Sequence, residues 1–162
     1  MIRAITSFGF VGLVPFAPGT FGSAAAIPVA WLLHRWGGFP VLAMATVLVF
    51  ALGVWAVTIF TTGGDPDPAE VVIDEVAGQW IALWPLSLGL WMANVPPHVF
   101  PWPGWVGAFL MFRLFDIWKP GPIGWIDRMN TPLGAMLDDV LAGVFAALVV
   151  TVAAVISHRW LM

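Results

Sequence analysis

From Phe39 to Thr61 the chain runs without one charged residue. Crossing the hydrocarbon core of a bilayer takes a helix of about 20 apolar residues, so this segment belongs either in a large protein core or in lipid. Composition decides between the two. Apolar residues make up 60% of the 162 and charged ones 9%, with a mean hydropathy of +0.94, whereas an average soluble domain carries about 25% charged residues. A surface with so few charges cannot be kept in water. The expected fold class is all-α, a polytopic transmembrane helical bundle. No polar or low-complexity stretch divides the chain, which is read as a single domain over residues 1–162.

About five membrane helices are expected. The first, from about Thr20 to Leu33, ends at His34 and Arg35 and is short enough for either a thin span or a re-entrant arm. The second is the uncharged run itself. The third begins at Asp67, where Pro68 and Glu70 suit a first turn and Asp67 with Glu70 has capping-box spacing; it runs to about Met92, with Gly and Pro as places for a kink. The segment NVPPHVFPWPGW then turns the chain into a fourth helix from Trp105 to Trp118, stopped by Pro120 and Pro122. A loop with Asp127, Arg128 and Asn130 leads to the fifth, from Pro132 to about Ile156. Trp36, Trp80, Trp102, Trp105, Trp125 and Trp160 stand near the ends of apolar runs, as in an interfacial aromatic belt. The N-terminal segment is read as part of the mature protein, since Gly and Pro interrupt its apolar run. With a cytoplasmic N-terminus, the loops at 62–70 and 119–132 share one side and every acidic residue falls on that face.

Six Lys and Arg are scattered through the chain and the formal charge is −3, so no basic stripe exists to neutralise a run of phosphates, and nucleic acid is excluded as a partner. The chain has no cysteine. A metal must therefore be held by oxygen or imidazole, and His34, His98 and His158 are placed away from the acids, as interfacial residues rather than a base.

Four sets of charges interrupt or border the apolar helices: Asp74 with Glu75, Arg113 with Asp116 and Lys119, Asp127 with Arg128, and Asp138 with Asp139. A charge at the centre of a membrane helix costs about 2.5–3.5 kcal/mol on insertion scales, so each normally meets a partner, an ion or water. Arg113 and Asp116, spaced i and i+3, suit an ion pair. Carboxylates still outnumber cations in this layer, and surplus carboxylates repel unless a cation sits among them. Hard oxygen ligands point to Mg²⁺, with Mn²⁺ or Ca²⁺ as substitutes. Arg113 and Lys119 beside such a site suit a phosphate, which makes a phosphorylated lipid the expected ligand. In PFAPGTFGS, Gly19, Thr20, Gly22 and Ser23 offer amides and hydroxyls at a helix start. Asp65-Pro66-Asp67-Pro68 is read as a linker and cap, because no strand precedes it.

PGTFGS at 18–23, VVIDEVAGQWIAL at 71–83, FRLFDIWKPGPIGWIDR at 112–128 and GAMLDDVLAGVFAA at 134–147 together resemble the phosphatidylglycerophosphatase A family over nearly the whole chain. The resemblance implies a Mg²⁺-dependent lipid phosphatase that converts phosphatidylglycerophosphate to phosphatidylglycerol and phosphate at the cytoplasmic face of the bacterial inner membrane, with membrane lipid as its surroundings. Under it, Asp74, Glu75, Asp116 and Asp139 are candidate catalytic residues; Thr20, Ser23, Arg113, Lys119 and Arg128 bind substrate; Asp74, Glu75, Asp138 and Asp139 hold metal. Asp116 stands as ligand, general base or orienter of Arg113, and direct attack by an aspartate remains an alternative. Two other functions compete. A phosphatidyltransferase would carry DGxxAR followed by GxxxD, which is absent. A carboxylate-lined cation transporter would need polar residues through both halves of the membrane. The residues set neither the oligomeric state nor the acyl-chain preference.

Overall fold

Glycine breaks the longest apolar stretch in two. In a computed structural model, which describes residues 1–65 and 68–160, α1 (Ile2–Thr6) and a 3₁₀ turn (Val11–Leu13) precede α2 (Pro18–Phe60), whose backbone is non-helical at Gly37 and at Gly38, with φ +65° at the latter. Only glycine adopts that conformation without strain, and α2 becomes two arms, 18–36 and 39–60, in agreement with two separate apolar segments. Then follow α3 (Ile73–Met92), α4 (Trp102–Trp118), α5 (Pro122–Asp127) and α6 (Pro132–Trp160). No strand occurs among the described residues.

Several boundaries differ from expectation. The expected third-helix start, Asp67, lies outside the described residues, and the helix begins at Ile73. The reason is tertiary: Glu70 accepts Arg3 Nη2 at 2.6 Å and the Val72 N–H donates to the Thr6 carbonyl at 2.9 Å, which ties the segment to α1 instead of letting it coil. Glu70 is thus an ion-pair partner and not half of a cap. The loop after Lys119 holds the short α5. Trp80 is also not interfacial, being 3% exposed with its indole N–H donating to the Ala26 carbonyl at 2.9 Å. His34 is buried too, hydrogen-bonded to Ser87 at 2.8 Å, because Ser87 on α3 offers the partner that an interfacial imidazole would find in water.

The central element is α3. It is apolar on nearly every side and buried over most of its length, the pattern of a helix surrounded by others. It packs between α2 and α6, and α4 closes the bundle against α3 and α6. Small residues make these crossings: Ala26 and Ala30 on α2, Ala82 on α3, Ala108 on α4, Ala142 and Ala146 on α6. The closest is glycine on glycine, since a Cβ on Gly143 would strike the Gly78 carbonyl, and one on Gly78 would strike Phe112 and the Asp139 carbonyl. Such contacts suit membrane helices, whose association gains nothing from hydrophobicity because lipid is equally apolar.

Two helices, α2 and the Pro132–Ser157 stretch of α6, are long and apolar enough to cross a membrane. Their outward faces expose Met44, Val47, Leu48, Leu148, Val152 and Val155, an apolar patch of the kind that marks a membrane surface.

Gly143→Ala is expected to destabilise the detergent-solubilised protein by about 1–3 kcal/mol, the cost of overfilling a packed contact. Gly107→Ala, where nothing lies within 4 Å of the added methyl, should leave the protein as stable or up to about 1 kcal/mol more so. Thermal unfolding of the two variants side by side tests the contrast.

Candidate functional site

Asp74 and Glu75 sit in the first turn of α3, where the positive end of the helix dipole favours them. Asp138 and Asp139 lie early in α6. In each pair the first carboxylate accepts the next backbone N–H at 3.0 Å, Glu75 onto Asp74 Oδ1 and Asp139 onto Asp138 Oδ1. Because α3 and α6 run parallel and touch at Gly78 and Gly143, the residues one turn earlier on each are also neighbours. Asp74, Glu75 and Asp139 consequently offer carboxylate oxygens within 4.8 Å of one another.

From the other side α4 contributes Arg113, ion-paired with Asp116. Arg113 Nη1 also donates to Ser23 Oγ at 3.4 Å, and Ser23 Oγ donates to the Gly19 carbonyl at 2.8 Å. Ser23, fully buried, therefore backs the guanidinium. A Cβ on Gly19 would overlap the Glu75 carboxylate and come within 3.3 Å of Arg113 Nη1, so glycine is what lets α2 close over both groups. The result is a cleft of about 430 Å³ lined by Gly19, Glu75, Arg113, Asp116, Ile117 and Lys119, among others.

Lys119 ends α4 in the left-handed conformation, φ 48° and ψ 53°. Its ammonium donates to Asp127, and to Asp138 at 2.6 Å. Burial pulls the Lys119 pKa down, but the hydrogen bonds to Asp127 and Asp138 outweigh it and hold the amine above its ordinary value. It is a fixed cation, and Asp138 faces it while Asp139 faces Asp74 and Glu75. Two further candidates stand outside the cleft. Arg128 lines a separate small pocket with Asp127, Asn130 and Thr131. The N–H groups of Thr20 and Phe21 donate to the Ala17 carbonyl at 3.0 and 3.3 Å, which already engages part of the amide cluster expected at this helix start.

Gln79 was not among the residues singled out by sequence. It is fully buried and neither of its amide atoms has a hydrogen-bond partner among the described residues; Glu75 Oε2 and Arg113 Nε share that condition. Each such group costs about 1–3 kcal/mol. A glutamine one turn after Glu75 in an otherwise apolar stretch was the available signal. Lys119→Met is expected to lower stability by more than Asp127→Asn does, because it strands Asp138, whose side chain is 4% exposed, whereas that of Asp127 is 39% exposed. Breaking a buried pair costs about 3–5 kcal/mol at most sites, an upper bound here since Lys119 reaches solvent. Thermal melts of both variants give the comparison.

The sequence profile of the family described as phosphatidylglycerophosphatase A matches residues 4–154. Phosphatidylglycerophosphatase A of Escherichia coli strain K12 is 36% identical over 152 residues, covering 92% of this chain and 79% of its own length. The protein of the same name from Haemophilus influenzae is 36% identical over 141 residues, 86% of this chain and 80% of its own. A Bacteroides thetaiotaomicron protein provisionally named a phosphatidylinositol-3-phosphatase is 34% identical over 162 residues, covering 97% of this chain and 92% of its own length. No solved structure gives a significant match. With a profile match over most of its residues and relatives at this identity, the chain belongs to the phosphatidylglycerophosphatase A family.

Proposed function

We propose that this protein hydrolyses the terminal phosphomonoester of phosphatidylglycerophosphate, yielding phosphatidylglycerol and inorganic phosphate in bacterial phospholipid synthesis. It does so with Mg²⁺ at the cytoplasmic face of the inner membrane, which it crosses about five times, through the two arms of α2 and through α3, α4 and α6. The observation that carries the reading is the convergence of Asp74, Glu75 and Asp139 beside Arg113 at one end of an apolar bundle, in a chain of this family. The relatives' names support the bond type and the lipid.

The donor set fits a hard divalent cation. Asp74, Glu75 and Asp139 offer carboxylate oxygens within 4.8 Å of one another, close enough to share one cation that prefers oxygen ligands. The buried Glu75 Oε2 has no hydrogen-bond partner among the described residues, as a ligand atom would not. Asp74, Glu75 and Asp139 would hold the ion, which when bound polarises phosphoryl oxygens and acidifies a water. Positioning and electrostatics dominate phosphoryl transfer. Arg113, held in place by Asp116 and Ser23, turns toward the cleft and neutralises the phosphate; Lys119, seated by Asp138 and Asp127, supplies the second charge. Water's oxygen joins phosphorus, the bond to the glycerol oxygen breaks, and that oxygen leaves with a proton. A cation path fits less well, because the buried Leu83 interrupts the polar file of Glu75, Gln79 and Ser87 along α3.

Purified protein should release phosphate from phosphatidylglycerophosphate with Mg²⁺ and lose this with chelator. Asp74→Asn and Asp139→Asn should each lower kcat by at least about 10²-fold, the scale of losing one main electrostatic element of a site. Phosphatidylinositol 3-phosphate in parallel assays decides the head group that the Bacteroides relative raises. No release from folded protein, or full activity in both variants, would sink the reading. Gln79→Leu should raise the Tm in chelator, by removing a buried unpaired amide worth about 1–3 kcal/mol. If Gln79 serves the ion, the variant should also shrink the rise in Tm that Mg²⁺ gives the unaltered protein.

A further inference from the structure

We propose that an apolar groove between the first arm of α2 and α4 seats one acyl chain of the phospholipid whose phosphate occupies the cleft, an inference that rests on the phosphatase reading. The groove has a volume of about 570 Å³ and is lined by Ala24, Ile27, Trp31, Trp105 and Phe109, with His98 among the residues at its far end. Its occupant follows from its register with the cleft. On α4, Trp105 and Phe109 continue, one turn at a time, the stripe that ends in Arg113; on α2, Ala24, Ile27 and Trp31 continue the one that begins at Thr20, next to Gly19 of the cleft wall. The α4 face that carries Arg113 into the polar cleft therefore also lines the groove below it, and α2 borders both.

Length agrees. At 1.5 Å per residue, Gly19 to Trp31 rises about 18 Å, whereas one leaflet of a hydrocarbon core about 30 Å thick takes up about 15 Å. A lipid with its phosphate at Arg113 thus has its chain beside Ala24 to Trp31. At the far end the Trp31 indole N–H donates to the His98 carbonyl at 3.3 Å, which ties α2 to the segment before α4. Lipid tails gain little by moving from bilayer to groove, both being apolar. The groove's effect is to fix where the phosphate stands, and chains too short to reach Ile27 do not feel it.

The test compares a long-chain phosphatidylglycerophosphate with a short-chain one, soluble as a monomer, in the unaltered protein, Ile27→Trp and Leu110→Trp. Overfilling a packed apolar space in Ile27→Trp should lower kcat/KM by about tenfold or more for the long-chain substrate and by less than about twofold for the short one. Leu110→Trp, whose site is exposed and outside the groove, should change neither. A parallel fall for both substrates, or no change for either, overturns the groove while leaving the phosphatase standing. A long-chain phosphatidic acid with a photoactivatable group in mid-chain supplies a readout apart from activity. Labelling at Ile27, Trp31 or Phe109 that Ile27→Trp abolishes supports the groove even if no substrate is hydrolysed; labelling elsewhere overturns it.

Discussion

The contact of Gly78 with Gly143 is the constraint on which the rest of the site depends. Each glycine meets backbone on the opposite helix where any side chain would collide, and the steep repulsion at such distances leaves no room for a gradual compromise. Parallel helices that touch at one level also touch one turn earlier, and that turn carries Asp74 and Asp139. Phe112 completes the arrangement: its ring lies against Gly78, so the helix bearing Arg113 is located by the same glycine. Three helices are thus brought into register by the absence of two side chains.

Once assembled, the site divides its charges between two tasks. Lys119 engages Asp127 and Asp138, and Arg113 engages Asp116, so the available positive charge is taken up by carboxylates other than Glu75 and Asp139. These two, with Asp74, are left to face one another in a largely buried setting, where like charges interact more strongly than in water. The helix-end dipole relieves part of this at α3. A structure that aimed only at neutrality would have placed Lys119 among the trio. The observed arrangement instead sets Arg113 and Lys119 in the walls of the cleft, each bound to a carboxylate outside the trio.

Much of this was legible in the sequence, for reasons that differ from residue to residue. Asp74, Glu75, Arg113, Asp116, Asp138 and Asp139 stood out because a charge in an apolar helix is costly, and the end of the first apolar run stood out at His34 and Arg35. What sequence could not divide was each acidic pair. Adjacent helical residues point about 100° apart, so which of Asp138 and Asp139 meets Lys119 depends on where α3 and α4 stand around α6. Trp80 and His34 were misjudged because their polar atoms find partners on other helices, Ala26 and Ser87, and no local pattern reports those. The late start of α3 has the same origin, since Arg3 holds Glu70 from the far end of the sequence interval.

Both rims of the cleft carry backbone strain of one kind. Ala17 has φ +46° and Lys119 φ +48°, left-handed conformations that cost a residue with a Cβ roughly 1–2 kcal/mol, and each is followed by a proline, Pro18 and Pro120, whose ring further limits the residue before it. Strain at a site persists only where the surroundings over-determine it. At Lys119 the surroundings are visible: Asp127 and Asp138 grip the ammonium from α5 and α6. At Ala17 they are the Thr20 and Phe21 amides that close on its carbonyl. A chain held in this way cannot drift at the two points where it enters α2 and leaves α4. The two rims of the cleft are thus pinned by bonds that the chain itself supplies, which is how conformations of this kind persist.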